Sequence, residues 1–130
     1  MRNDIKNHLS VVQSLAPASR TAAANGTGVD LANYDGAMIV IDAGAAGGTT
    51  PSFTFKVQES ADNSTFTAVA ASNLDGAEPV ITDANDLAVY TIGYHGIKRY
   101  VRVAITVVAG TTPTLVASAT VVRGLGRVKP

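Results

Sequence analysis

The sequence predicts an all-β chain folded as one antiparallel domain, and three observations carry that reading. Thr, Val and Gly are plentiful, while the good helix formers Leu, Glu, Lys, Gln and Met are scarce. Apolar residues alternate with polar ones at a period of two through the most hydrophobic segments. Turn residues recur about every 8–12 positions and delimit roughly seven short strands, the pattern of a two-sheet sandwich or a small barrel. The many Ala residues lean towards helix by propensity, but they sit in Gly/Thr/Asn-rich connections or among β-branched neighbours without helical spacing. A length of 130 residues suits a single domain with enough core to fold unaided.

The elements follow in chain order. Residues 1–28 read as an N-terminal arm with one short paired piece around Val11, Val12 and Leu15, ended by Pro17, before the flexible Ala22–Gly28. Residues 29–122 read as the sandwich domain. Ala37–Ile41 is a continuous apolar strand, and Ala43–Pro51 (AGAAGGTTP) reads as a loop. Ser52–Glu59 alternates, with Phe53, Phe55 and Val57 on one face, and turns at Ala61–Ser64 into Thr65–Val69 as a hairpin. An acidic connection over 73–86 holds a short strand at Val80–Thr82; Leu87–Ile92 is the next strand, broken by Gly93–Gly96. Arg99–Val108 is the strongest strand, with Val101, Val103, Ile105 and Val107 on one face. Ala109–Pro113 turns the chain, Thr114–Val122 returns, and residues 123–130 form a basic, Gly-spaced C-terminal tail. The expected core is Phe53, Phe55, Val57, Phe66, Val101, Val103 and Ile105.

Charge is zero overall but segregated. Residues 1–29 carry +2, residues 30–86 carry −8, and residues 87–130 carry +6 with no acid at all. Such blocks either cancel inside one fold or orient copies in an assembly. The cations lack the clustering and the aromatic partners that nucleic-acid binding calls for. Apolar runs are far shorter than the ~20 residues of a membrane-spanning helix, and Met1–Leu15 is too interrupted for a signal peptide, so no membrane partner and synthesis in a cytoplasm are expected.

The residues give no chemistry to build on. The absence of Cys removes disulfides, thiolate metal sites and a cysteine nucleophile. His8 and His95 lack a ligand-spaced partner, and there is no Gly-x-Ser-x-Gly elbow. Asp83–Asp86 begins like a calcium loop, yet Ala88 and Tyr94 stand where the loop needs Gly and Glu. Ala43–Thr50 is Gly-rich but lacks the Lys-Ser/Thr and the helix of a phosphate loop. The expectation is a non-enzyme without metal or cofactor.

Three stretches carry a resemblance: Ile5–Pro17 (IKNHLSVVQSLAP), Phe55–Val69 (FKVQESADNSTFTAV) and Tyr94–Val103 (YHGIKRYVRV). In this order they resemble small structural proteins of tailed bacteriophages and prophages, most like head decoration, or cement, proteins that bind the outside of the major capsid protein lattice. The resemblance implies a β-sandwich or jelly-roll-like fold, self-association as a dimer or trimer, no catalytic residues, and a place on the virion surface. A head–tail connector or tail component is the neighbouring reading. The hairpin and the KRYVRV strand are also similar to carbohydrate-binding sandwiches, but the chain has no Trp to stack a sugar, leaving Tyr90, Tyr94 and Tyr100 for that role.

For attachment, the expected contact residues are Val11, Val12 and Leu15 in the arm and Arg123, Leu125, Arg127, Val128 and Lys129 in the tail. Ion pairs at about 0–1 kcal/mol each do not offset backbone ordering at roughly 1–2 kcal/mol per residue, so Leu125 and Val128 are expected to add apolar contact, or the tail a strand. The tail is expected to be mobile when free.

Overall fold

A computed structural model describes residues 1–126. It is all-β, with nine strands joined into one continuous antiparallel hydrogen-bonded sheet: β1 (Ser10–Arg20), β2 (Ala24–Asn25), β3 (Val29–Asp30), β4 (Tyr34–Ser60), β5 (Thr67–Ala68), β6 (Leu74–Asp75), β7 (Val80–Thr82), β8 (Ala88–Tyr94) and β9 (Tyr100–Gly126). Two strands of 27 residues dominate. β4 and β9 pair along their whole length, from Tyr34 opposite Gly126 to Ser60 opposite Tyr100.

This ribbon bends back on itself midway. Register shifts crowd between Ala43 and Phe55, and Gly48, Thr50, Gly110 and Thr112 all take positive φ. Two glycines make the corner possible. A side chain at Gly48 (φ +95°) would collide with the Thr112 carbonyl, and at Gly110 (φ +111°) a Cβ would lie 2.6 Å from the Thr50 carbonyl oxygen.

Each half of the ribbon gathers its own edge strands. The first half, Tyr34–Ala43 with Leu115–Gly126, is flanked by β1 and β8, with β6 beyond. The second, Ser52–Ser60 with Tyr100–Val108, is flanked by β2 and β3 on one side and β5 and β7 on the other. Their inward faces merge into one core: Ile39, Ile41, Ala117, Ala119 and Val121 from one half, and Phe53, Phe55, Val57, Val101, Val103 and Ile105 from the other. The result is a β-sandwich whose two layers are cut from the same pair of strands.

Several expectations change. The stretches read as loops at Ala43–Pro51 and Ala109–Pro113 are strand that forms the corner. Their Gly, Ala and Thr residues look like connection in isolation, yet the ladder between them satisfies the backbone. Gly93 and Tyr94 continue β8 instead of breaking it. Val107 is 56% exposed because a bulge at Thr106 (Thr54 faces Val107, but Phe55 faces Ile105) reverses the alternation. Phe66 is only partly buried and lies under Arg102, whose guanidinium sits 4.1 Å from the ring centre. The paired piece of the N-terminal arm runs over all of Ser10–Arg20, and the described start of the basic tail, Arg123–Gly126, is strand paired to Tyr34–Ala37, not a mobile end. Residues 10–28 and 123–126 thus belong to the sandwich, and boundaries at 28 and 122 do not mark its limits.

Candidate functional site

The bend returns both ends of the ribbon to one end of the sandwich, where the chain enters at Ser10 and leaves the described region at Gly126. Three loops and strand ends meet there, and Asp30 at the end of β3 organises them. Arg99 donates from Nε and Nη2 to the two Asp30 carboxylate oxygens at 2.9 and 2.8 Å, a paired geometry that only a guanidinium supplies. That contact holds the Asp30 carboxyl at about 2, below the usual carboxylate range, with a further contribution from the Ala32 N–H. From the opposite layer, Arg123 donates to the Asp30 carbonyl at 2.9 Å and to Ser10 Oγ at 2.6 Å, with its guanidinium 4.6 Å from the centre of the Tyr34 ring. Beside this cluster lies an open groove of about 540 Å³ lined by Leu31, Asn33, Tyr34, Gly96, Ile97 and Lys98. Lys98, Arg99 and Arg123 gather at this end with the carboxylates of Asp30 and Asp35, the latter also lining the groove.

Two further contacts tie the layers together nearby. Ser14, buried on β1, accepts the Val103 N–H at 3.0 Å and donates to the Thr27 carbonyl at 2.9 Å. The Val103 carbonyl in turn accepts the Gly26 N–H at 2.8 Å. Across the sandwich, Tyr94 donates to Glu59 at 2.7 Å. Burial, then the Glu59 carboxylate beside it, raises the Tyr94 phenol far above its ordinary value, so it stays a neutral donor.

The structure sorts the sequence-predicted contact residues. Val11, Val12 and Arg123 share one corner, with Ser10 opposite Arg123, Val11 opposite Val122 and Val12 opposite Val121. Val11 is 62% and Leu125 76% exposed, so both are free to touch a partner. Leu15 is not: it is 2% exposed in the protein's own core. Val12 packs against that core, and Arg123 is engaged internally by Asp30, Ser10 and Tyr34. Leu15 looked available because strand pairing of 10–20 with distant 115–123 is not legible in a short apolar motif. Arg127, Val128 and Lys129 lie outside the described residues.

The three tyrosines named for sugar stacking do not share a groove. Tyr90 and Tyr94 face inward on β8, packed on the core, and Tyr100 lies on β9 with the Arg99 guanidinium 5.2 Å from its ring centre. Among the described residues, no group of three His, Asp or Glu gathers to hold a metal ion. Sequence reasoning missed Asp30, Ser14 and Tyr34; the only available signal for Asp30 was charge opposite to the 87–130 block.

The outer faces of the two layers differ sharply. On the second half, Lys56, Gln58 and Arg102 face out, with Glu78 and Phe66 laid against them. On the first half, cross-strand rows run Val11–Val122–Met38–Gly93 and Gln13–Thr120–Val40–Thr91, with Ser118–Asp42–Val89 and Val116 beyond. Asp42 is the one charge among these positions, and Asp75 follows at the β6 rim, opposite Gly93.

No protein-family model matches the chain, and no curated protein sequence matches it.

Proposed function

We propose that this chain is a virion structural protein that decorates and stabilises a phage capsid by binding the outside of the major capsid protein lattice, as a homo-oligomer. The observation that carries the reading is how the three resembling stretches are used. Ile5–Pro17 supplies most of β1, Phe55–Val69 supplies the last six residues of β4 with β5, and Tyr94–Val103 joins the end of β8 to the start of β9. They interlock directly, through Ser14 with Val103, Gln58 with Arg102, and Glu59 with Tyr94. The resemblance therefore covers one contiguous piece of the sandwich, not three scattered motifs.

The remaining features suit attachment without chemistry. A two-layer body presents exposed apolar residues at Val11 and Leu125, and the cations Lys98 and Arg99 line the open groove at one end. Many weak copies of such contacts hold firmly on a repeating shell, because each bound neighbour raises the effective concentration of the next. The inward-facing Tyr90 and Tyr94 leave the carbohydrate-binding reading without its stacking platform.

The test is co-sedimentation of the purified protein with shells of the source phage's major capsid protein. Saturable binding at a fixed ratio to capsid subunits is expected, and loss of it on Val11→Asp with Leu125→Asp, both exposed positions. Failure to bind shells, with binding instead to tail tubes or connector rings, would replace the decoration role with the connector or tail reading.

A further inference from the structure

The two long strands repeat one another. Gly-Thr-Thr-Pro stands at residues 48–51 of β4 and again at residues 110–113 of β9, 62 positions later. The backbone repeats with it: φ is +95° at Gly48 and +111° at Gly110, +48° at Thr50 and +46° at Thr112. Positive φ at a β-branched residue is rare, so its recurrence at one spacing carries weight. A Cβ on Gly48 would meet the carbonyl oxygens of Thr112 and Thr111, and one on Gly110 those of Thr50 and Thr49. The extra residues of the ladder fall between Ala43 and Ala46 on β4, and between Ile105 and Val108 on β9. Any antiparallel pair has local two-fold symmetry, but its neighbours need not share it. Here they do. Leu115 faces Arg20 on β1 where Phe53 faces Ile81 on β7, and Val121 faces Val12 on β1 where Glu59 faces Thr67 on β5. Ile105 faces Ala24 on β2 where Ala43 faces Ala88 on β8, and Val101 faces Val29 on β3 where Ile39 faces Ile92 on β8.

We infer that the domain is an internal duplication: two copies of one β-unit, residues 10–60 and 67–122, packed about a pseudo-two-fold axis through the corner. The sandwich is then a dimer fused into one chain, with β4 of one copy and β9 of the other as its isologous seam. Two unrelated halves would have had to reach the same left-handed Thr, the same bulge and the same order of edge strands separately. The copies also agree inside, since Ile39 and Val101, Ile41 and Val103, and Phe53 and Leu115 are buried at equivalent places. Outside they differ. Arg102 and Lys56 stand on the outer face of the second layer where Val40 and Ser118 stand on the first. Gly93 and Ala37 occupy the places equivalent to Asp30 and Arg99, so that ion pair beside the groove has no counterpart across the axis. A partner therefore meets two unlike surfaces on one shared backbone, which fixes a single orientation on a nearly symmetric frame. This inference concerns the free chain and does not rest on the capsid reading.

The two arms of the corner pair with each other, Gly47 opposite Thr114, Thr49 opposite Thr111 and Ser52 opposite Ala109. Exchanging their sequences in the full chain, AAGGTTPS at 45–52 for VVAGTTPT at 107–114, therefore rebuilds the same mutual contacts turned by half a revolution. The eight changes are Ala45→Val, Ala46→Val, Gly47→Ala and Ser52→Thr with Val107→Ala, Val108→Ala, Ala109→Gly and Thr114→Ser. The exchanged protein should keep a wild-type circular dichroism spectrum and melt within about 10 °C of wild type. A control exchanged one residue out of register, which puts Ala at position 48 and moves the proline to 52, should fall much further or fail to fold. Gly48→Ala and Gly110→Ala, made singly, should lower the melting midpoint by equal amounts, within about 2 °C, because each methyl meets the equivalent pair of carbonyls. An in-register exchange as damaging as the shifted one, a shifted one as well tolerated as the exchange, or unequal glycine effects would each overturn the duplication. If neither exchanged chain can be recovered, the glycine pair decides.

Discussion

Replacing Ser14 by Ala tests the contact that joins the layers. Val57 faces Val103 across the ribbon, but Val57 turns its N–H to Glu78 and its carbonyl to Val69 N–H, away from β9. Val103 therefore points its own N–H and carbonyl outward from the ribbon, to Ser14 Oγ and to Gly26 N–H. Ser14→Ala deletes the acceptor for one buried amide and the donor to the Thr27 carbonyl. A lost buried partner costs about 1–3 kcal/mol and the second, less enclosed bond about 0.5–1.5 kcal/mol, so the expected loss is roughly 2–4 kcal/mol. With an unfolding entropy of about 2.1 cal/mol/K per residue, a chain of this size should melt about 7–15 °C lower. The assay is urea unfolding combined with amide exchange, in which Val103 should lose protection relative to Val101. Gly26→Ala, which would drive a methyl into the Val103 carbonyl and Ser14, should weaken the same latch, and the two changes together should cost less than their sum. A Ser14→Ala protein that unfolds at the wild-type urea midpoint, with Val103 still protected, would refute this account.

Three other outcomes are expected. Gly110→Ala, forced to keep a φ of +111°, should lose roughly 1–3 kcal/mol from backbone strain alone, read as a lower denaturation midpoint, whereas Gly124→Ala, which keeps ordinary φ and meets only the flexible end of Leu9, should be nearly neutral. Glu78→Ala leaves the Val57 N–H without its 2.6 Å acceptor and should cost about 1–3 kcal/mol in urea melts. Because the folded Asp30 carboxyl sits at about 2, below the ordinary ~3.9, its contribution is complete above about pH 4 and disappears as pH falls through 2. An NMR titration should show the Asp30 midpoint climbing towards 4 in Arg99→Gln, and an unmoved midpoint would exclude Arg99 as the main cause.

The short-range signals were legible, and the long-range ones were not. Phe53, Phe55 and Val57 alternate with polar residues and are all fully buried, as are Val101, Val103 and Ile105. Alternation reports which face is inside, and it needs no knowledge of the partner strand. The corner needed that knowledge. Gly44–Gly48 and Ala109–Thr112 become strand only because each satisfies the other from a distant part of the sequence, which no local pattern encodes. Val107 shows the limit of periodicity: one bulged residue at Thr106 inverts the alternation beyond it. At the candidate site, Arg123 was noticed for its charge, but its use inside the fold, on Asp30 and Tyr34, depends on the bend bringing the two ribbon ends together.

The doubled-back ribbon has a kinetic consequence. Even its tightest closure pairs Ser60 with Tyr100, and its widest pairs Tyr34 with Gly126, so almost none of its pairing is local. Proteins of such high contact order fold in milliseconds to seconds, since loop entropy is lost before contacts repay it. Pairing most readily starts at the Ser60–Tyr100 end and zips outward through the glycine corner. Since β4 and β9 run through both layers, neither sheet can be completed as a free-standing intermediate; the second layer is laid down by the same two strands that finished the first. β1 and β8 both pair with the half of the ribbon beyond the corner, so in such a sequence their ladders complete only after the ribbon has closed through it.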